Sequence, residues 1–468
     1  MDFNYELRHN SLLVLTKERR SDFFAALCQA GIFFLVYFAI RYAYPYFFPY
    51  YAQGALVIAA TEPNRTALGT VCLILLWFLL LKQQKLYKRT NNISFAVMML
   101  TNYIYFVPGS FMNIFCSCDY EYVVIYTLFC IMLNALTIAI CKKDITHKTK
   151  LVFKVASSKV KNDYICYALA GILLIASLYL NGFRIDITSI FNASEVYQTR
   201  LENQIANSGY MYYIWYFIIF GSCIIPTWTV IALEKKQYWA VAFYTLCVFS
   251  MYSVSCNRQF LFLYAFSFAF YFFRKRENAI PILMLLMWLV PFVEYTFFDG
   301  YIFSDVIRRL SLVPNIDAEF HVDFFRENAP DFLRQTLNFY LSRVGIHSEY
   351  SRPIAAIIGE KYFGTTLNAN TGLVGGTFAN YGYLSIVLGP ILYTCALRLF
   401  DKIFFNVRHT DVLFITAFVI AFNFTNSETW LEQIIIPSWI LLYYLSMLII
   451  PLEGIEKSDT NTEGCVKK

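Results

Sequence analysis

A chain of 468 residues with 58% hydrophobic and only 15% charged side chains lacks the polar surface that keeps a soluble enzyme of this size in water. Its net charge of +6 does not mark a nucleic-acid partner, because the basic residues fall between apolar stretches instead of forming one patch. The twelve cysteines follow no disulfide-framework spacing, and most sit inside apolar segments as small packing residues.

The first twenty residues are charged and lack a small-residue cleavage site, so the first apolar stretch reads as a retained helix. Stretches long enough to span a bilayer then run roughly over 22–44, 66–81, 93–113, 122–141, 164–181 and 210–233. The second half adds roughly 238–255, 259–273, 279–298, 382–399, 411–426 and 432–451. The expectation is an all-α, polytopic membrane protein: one domain over 1–468, about twelve transmembrane helices, both termini on the same side. Aromatic residues at 19% suit lipid-facing helices and interfacial belts. Cys116 and Cys118 lie in a short loop, where redox sensing is one reading and plain packing the other.

Cytoplasmic loops carry an excess of Lys and Arg, and the connecting segments alternate accordingly. The side expected inside holds 18 Lys and 8 Arg, whereas the other side holds 11 Arg and one Lys, Lys361. Orientation needs only positive charge, so near-exclusive use of Arg outside asks for another cause. Arg offers a flat fork of donors that binds phosphate oxygens in pairs and stays charged when partly desolvated. Ordinary ion pairing with the acidic residues of the same loops is the competing explanation.

Two outer segments are long enough to fold, 182–209 and 298–381. In the larger one, Phe303, Val306, Ile307 and Leu310 recur at helical spacing, with Asp305, Arg308 and Arg309 off that face. A second amphipathic helix is expected from Leu333, Leu337, Tyr340, Leu341 and Val344, with Arg334, Asn338 and Arg343 elsewhere on it. His321 falls in this segment too, with nothing in the neighbouring sequence to mark its environment. Walker loops, dinucleotide fingerprints, zincin motifs and nucleophile elbows are absent from the sequence, and no Asp-x-Asp pair marks a metal site. No metal and no cofactor are expected.

One run of residues carries a resemblance. It begins with Arg343-Val-Gly-Ile-His347-Ser-Glu349-Tyr350-Ser-Arg352-Pro and continues with Asn368-Ala-Asn370-Thr371-Gly372-Leu-Val-Gly375-Gly376. It ends with Phe-Ala-Asn380-Tyr381-Gly382-Tyr383 leading into a span. An outer loop of this make-up resembles the Wzy-type O-antigen polymerase family, and the Ser-Val-Ser-Cys-Asn-Arg258 turn and Arg308-Arg309-Leu add to the likeness. Topology is similar over most of the chain and local motifs over roughly a quarter. An Arg-x10-Gly pattern of some relatives is absent, since neither Arg200 nor Arg352 has Gly eleven residues on.

The resemblance implies a GT-C-like helical bundle with a large helical periplasmic loop, in the bacterial inner membrane, with both termini cytoplasmic. It implies a metal-independent glycosyltransferase that moves a growing glycan from undecaprenyl pyrophosphate onto a new lipid-linked oligosaccharide unit. Donor and acceptor, membrane lipids and a chain-length regulator are the implied partners, and nucleic acid is not. Arg258, Arg308, Arg309, Arg343 and Arg352 are then candidates for the pyrophosphate. His347 is the candidate base, because histidine titrates near neutral pH, with Glu349 second. Arg200, Tyr350, Asn368, Asn370 and Thr371 are candidates for the glycan. An O-antigen ligase needs the same loop and anion site; a flippase needs charged or broken helices at mid-membrane, where these spans carry few charges.

Overall fold

The computed structural model describes residues 2–43, 62–143, 163–185, 211–255, 258–274, 276, 278–297, 303–364, 368–403 and 412–426. Among them the chain is helical and forms no strand. The first helices are α1 (Asp2–Phe38), α2 (Pro63–Thr90), α3 (Ile93–Phe115) and α4 (Tyr120–Cys141). Then come α5 (Asp163–Leu180), α6 (Met211–Glu234), α7 (Tyr238–Ser255), α8 (Arg258–Phe273) and α9 (Ala279–Phe297). The last are α10 (Val313–Glu327), α11 (Ile354–Phe363), α12 (Leu373–Tyr381), α13 (Ser385–Ile403) and α14 (Leu413–Asn426).

Among the described residues, six helical stretches are long and apolar enough to cross a membrane: Arg19–Ala43, α2, α3, α4, α9 and Leu373–Lys402. Five shorter apolar helices, Cys166–Leu180, Ile224–Glu234, Tyr238–Val254, Phe260–Phe273 and Leu413–Asn426, fall where the sequence suggests further spans. The span expected at 432–451 lies outside the described residues, as does most of the 182–209 segment.

The chain divides into two compact units. The first comprises Met1–His147, Lys275–Lys402 and Ala417–Glu432, with α3 at its centre. That helix carries no charged residue, is apolar on every side and is buried throughout its spanning window, as an all-round apolar helix must be. Its Asn102 side chain is matched by neighbours. Gln83 of α2, Asn102 of α3 and Asn134 of α4 are all fully buried and bond one another at 2.7–3.1 Å, gluing three helices where no water competes. Just before Pro108, which has no N–H to donate, the helix widens into a π-turn over Asn102–Phe106, and the Val107 N–H reaches back to the Asn102 carbonyl.

The two ends of this unit differ. Arg65, near the start of α2, donates to the Cys118 carbonyl at 3.0 Å, whereas Lys85 and Lys88, near its end, pair with Asp22. From Arg65 to Lys85 is about 30 Å of helix, which matches the hydrocarbon thickness of a bilayer. At the Lys85 end, Asp401 accepts the Ser94 N–H at 2.9 Å and so closes the start of α3, while Asn92 donates to the Cys141 carbonyl at 3.0 Å. Lys82, Arg89, Lys142, Arg398 and Lys402 belong to that end by helix direction. Arg308, Arg326, Arg334, Arg343, Arg352 and Lys361 belong to the other, in the 303–372 segment between two spans.

The second unit comprises Lys148–Arg274, Ile403–Thr416 and Gln433–Lys468. Within it α5, α6, α7 and α8 pack side by side. Gly221 admits Leu173 so closely that a Cβ would overlap it, and Asn181 at the end of α5 donates to Ser253 of α7 at 2.5 Å.

Candidate functional site

The segment between α9 and α12 folds as a cap on the Arg65 end of the first unit, and α10 is its keel. The π-turn of α3 leaves the Tyr105 and Phe106 carbonyls accessible to partners outside their own helix. Tyr126 donates to both, at 3.0 and 3.3 Å, and Asn315 of α10 donates to Tyr105 at 3.1 Å. Tyr122 in turn donates to the Asn315 carbonyl at 3.1 Å. Gly109 makes this approach possible, since a Cβ there would overlap both the Tyr126 hydroxyl and the Asn315 amide. On the far side of α10, a Cβ on Gly375 of α12 would lie 2.7 Å from the Ala318 Cα. Thr371 donates to the Pro314 carbonyl at 2.8 Å, which fixes the first turn of α10.

Being covered on several sides, α10 buries polar groups. Asp317, Glu319 and His321 are all buried, and His321 holds the Asp317 carbonyl through Nδ1 at 2.7 Å. Glu319 is 7% exposed and accepts the Asp119 N–H at 2.9 Å. Burial pushes its carboxyl up to about 7, and the nearby Asp119 and Asp323 carboxylates push the same way, against the Asp119 N–H and the Cys118 thiol. Arg326 meets Asp119 directly, Glu121 at 3.4 Å and Asp323 at 3.9 Å, and Tyr383 donates to Glu121. One guanidinium thus serves three carboxylates, and two of these, Asp119 and Asp323, add to the burial that favours the neutral form of Glu319. The Cys118 thiol is buried and pushed well above its ordinary value, and Cys116 is buried as well. Neither has the electropositive, accessible setting of a redox-sensing thiol.

Beyond α10 the chain doubles back, held by two side chains. Asp331 is buried, accepting the Gln335 N–H at 2.6 Å and the Ser348 hydroxyl. Gln335 donates to the Arg352 and Tyr350 carbonyls, at 2.7 and 3.3 Å, and accepts the Ile354 N–H at 3.1 Å. Phe332 and Leu333 both adopt left-handed backbone, with φ of 52° and 62°. Asn380 makes this tolerable: its carbonyl accepts the Phe332 N–H at 3.1 Å, and its side chain accepts the Leu333 N–H at 2.9 Å. Phe320 stacks on Tyr362 at 4.5 Å, and Tyr362 donates to Asp323 at 2.6 Å, seating α11 against α10.

The candidate residues separate by depth. Arg343, His347, Glu349 and Arg352 are exposed on the cap, and Asn368 and Asn370 are exposed just before α12. Glu349 is held by Arg334 at 2.7 Å, and Arg352 pairs with Glu360. Tyr350 is half-buried and donates to the Ala329 carbonyl. Two expectations need correction. Thr371 is fully buried with its hydroxyl spent on Pro314, so it does not face a glycan, and Arg308 is buried, apart from the surface arginines. Arg258 is the first residue of α8, in the second unit, and Arg309 sits in the π-helical stretch Phe303–Leu312; the side chains of both, and all of Arg200, lie outside the described residues.

Local structure also departs from expectation. The helix begun at Phe303 runs on through Glu327, whereas the amphipathic helix expected over Leu333–Val344 is turns, with only Asn338–Leu341 in α conformation and Ser342–Val344 as one 3-10 turn. His321 has a special environment after all, being buried on the keel. The sequence pattern does not mark Glu319, Asp331 or Gln335, and it marks Asn380 only as part of a motif. A signal for the first existed: in Ile316-Asp-Ala-Glu-Phe-His-Val-Asp-Phe-Phe325 the apolar residues cover more than one helical face, so some intervening acids must be buried. Chemically, the cap presents exposed guanidinium, imidazole and amide groups on a pinned backbone above a carboxyl that is partly protonated near neutrality. Among the described residues no three His, Cys, Asp or Glu side chains converge as metal ligands. No family model, curated protein or solved structure matches the chain.

Proposed function

We propose that this chain is a glycosyltransferase of the O-antigen polymerase type, crossing a bacterial inner membrane about twelve times with both termini cytoplasmic and the cap in the periplasm. The observation that carries the reading is the cap itself: a long inter-span segment, pinned at the arginine-bearing end of a membrane-spanning unit, with Arg343, His347, Arg352, Asn368 and Asn370 exposed on it. The lysine-rich opposite end favours the cytoplasm.

In this reading Arg343 and Arg352 hold the pyrophosphate of a polyprenyl-linked glycan. A hydroxyl of the incoming lipid-linked unit attacks the anomeric carbon of the donor, the bond from that carbon to the pyrophosphate oxygen breaks, and His347 takes the hydroxyl proton. The pyrophosphate leaves with the bonding electron pair, so the main electrostatic demand is a preorganised cation pair, which the guanidinium fork meets. Asn368 and Asn370 offer amides to sugar hydroxyls, and the growing chain is passed on at its reducing end.

The Arg352–Glu360 pair makes a clean test possible. If Arg352 serves the anion, Arg352→Ala and Arg343→Ala each lower polymer yield by about a hundredfold, whereas Glu360→Ala, which frees Arg352, leaves the ladder intact. Equal losses in Arg352→Ala and Glu360→Ala at normal protein levels would make the pair structural and overturn the assignment.

A further inference from the structure

The 328–347 stretch exposes large apolar side chains that the proposed reaction does not use. Phe332 is 52% exposed, Tyr340 40%, Val344 70% and Ile346 46%, with Arg343 and His347 exposed among them. Phe332 is held outward in left-handed backbone, a conformation bulky residues avoid unless the surroundings enforce it. The enforcing bonds come from Ala379 and Asn380, at the end of α12.

That anchor point locates the patch. Pro330 packs against Gly382, its Cγ 3.2 Å from where a Cβ on that glycine would lie. Directly after Gly382 begins the exposed apolar stripe Tyr383, Leu384, Val387, Leu388 and Ile391 of the Leu373–Lys402 span. In a spanning helix such a stripe faces acyl chains. The exposed aromatic, aliphatic and basic residues of the cap therefore start at the level where lipid contact begins, and they have the make-up of an interfacial segment: apolar groups for the acyl boundary, Tyr at headgroup depth, Arg for phosphate.

We propose that Phe332, Tyr340, Val344 and Ile346 seat the cap on the phospholipid bilayer surface, with Arg343 at the headgroup phosphates while no substrate is bound. This anchoring does not depend on the proposed reaction. It gives the strained turn at Phe332 a purpose, since the turn aims an aromatic ring at the membrane, and it places the cap where a lipid-linked molecule reaches it by lateral diffusion.

The test uses the full chain with a photoreactive benzophenone side chain at Phe332, at Val344, or at the exposed polar control position Glu360, reconstituted into vesicles of radiolabelled phosphatidylglycerol and phosphatidylcholine without substrate. The expected result is at least tenfold more lipid label at 332 and 344 than at 360, and a loss of several-fold at 344 when Arg343→Ala is combined with it in the anionic vesicles. Because Val344 has ordinary backbone geometry, it remains informative if the change at Phe332 impairs folding. Label at 344 no greater than at 360, or transfer to a second copy of the protein in place of lipid, would overturn the proposal. Neither outcome bears on polymerisation.

Discussion

At Phe332 and Leu333 two bulky residues stand where the left-handed backbone costs about 1–2 kcal/mol each, and the chain accepts this because Asn380 takes both of their N–H groups. Its own amide donates to the Gly376 carbonyl one turn back in α12 at 2.8 Å, which fixes the side chain that accepts the Leu333 N–H. Asn380→Ala should destabilise the protein by about 1–2 kcal/mol and raise amide exchange over 331–335 without affecting α2, α3 and α4. Asn380→Asp, which keeps the acceptor, should restore slow exchange at Leu333. Unchanged exchange in the Ala variant would mean that the turn is held by something else. Sequence marked Asn380 only as part of a motif. Its partner lies 47 residues away, and no local pattern encodes such a bond.

Among the elements, α10 unites the cap with the membrane-spanning helices, and its buried Glu319 makes that union sensitive to protons. The carboxyl titrates near 4.5 when unfolded and about 7 in place, so the native state binds the additional proton between those values. Stability contributed by the neutral form is complete below the unfolded value and is lost as pH rises through about 7, by an amount on the order of 3 kcal/mol for this buried group. Glu319→Gln keeps an oxygen to accept the Asp119 N–H and removes the titration. Thermal midpoints in detergent should therefore fall between pH 6 and pH 8 for the wild type and change less for the variant, which should be the more stable of the two at pH 8. Parallel midpoint curves would rule out Glu319 as the titrating group. The membrane helices were legible because their apolar content is local. The 333–344 stretch does not form one helix although its apolar spacing suits one, because Asp331, Gln335 and Asn380 commit the backbone to turns.

Across the whole molecule, the sorting of Lys and Arg into separate segments, visible in sequence, recurs as two ends of the first unit about 30 Å apart. Lys82, Lys85 and Lys88 lie toward one end, and Arg326, Arg334, Arg343 and Arg352 belong to the cap at the other. Sequence alone could not rank the cap arginines by depth: Arg308 is buried, whereas Arg343 and Arg352 are exposed, because depth depends on how the cap docks onto α3 and α12. The proposed polymerase activity predicts a defined consequence for the cell. In a strain lacking this chain, mass analysis of polyprenyl-pyrophosphate-linked glycans should find a single repeat unit accumulating in place of the polymer, facing the periplasm. Full-length polymer retained on its lipid carrier, as loss of a ligase would give, or single units confined to the cytoplasmic leaflet, as loss of a flippase would give, would contradict it.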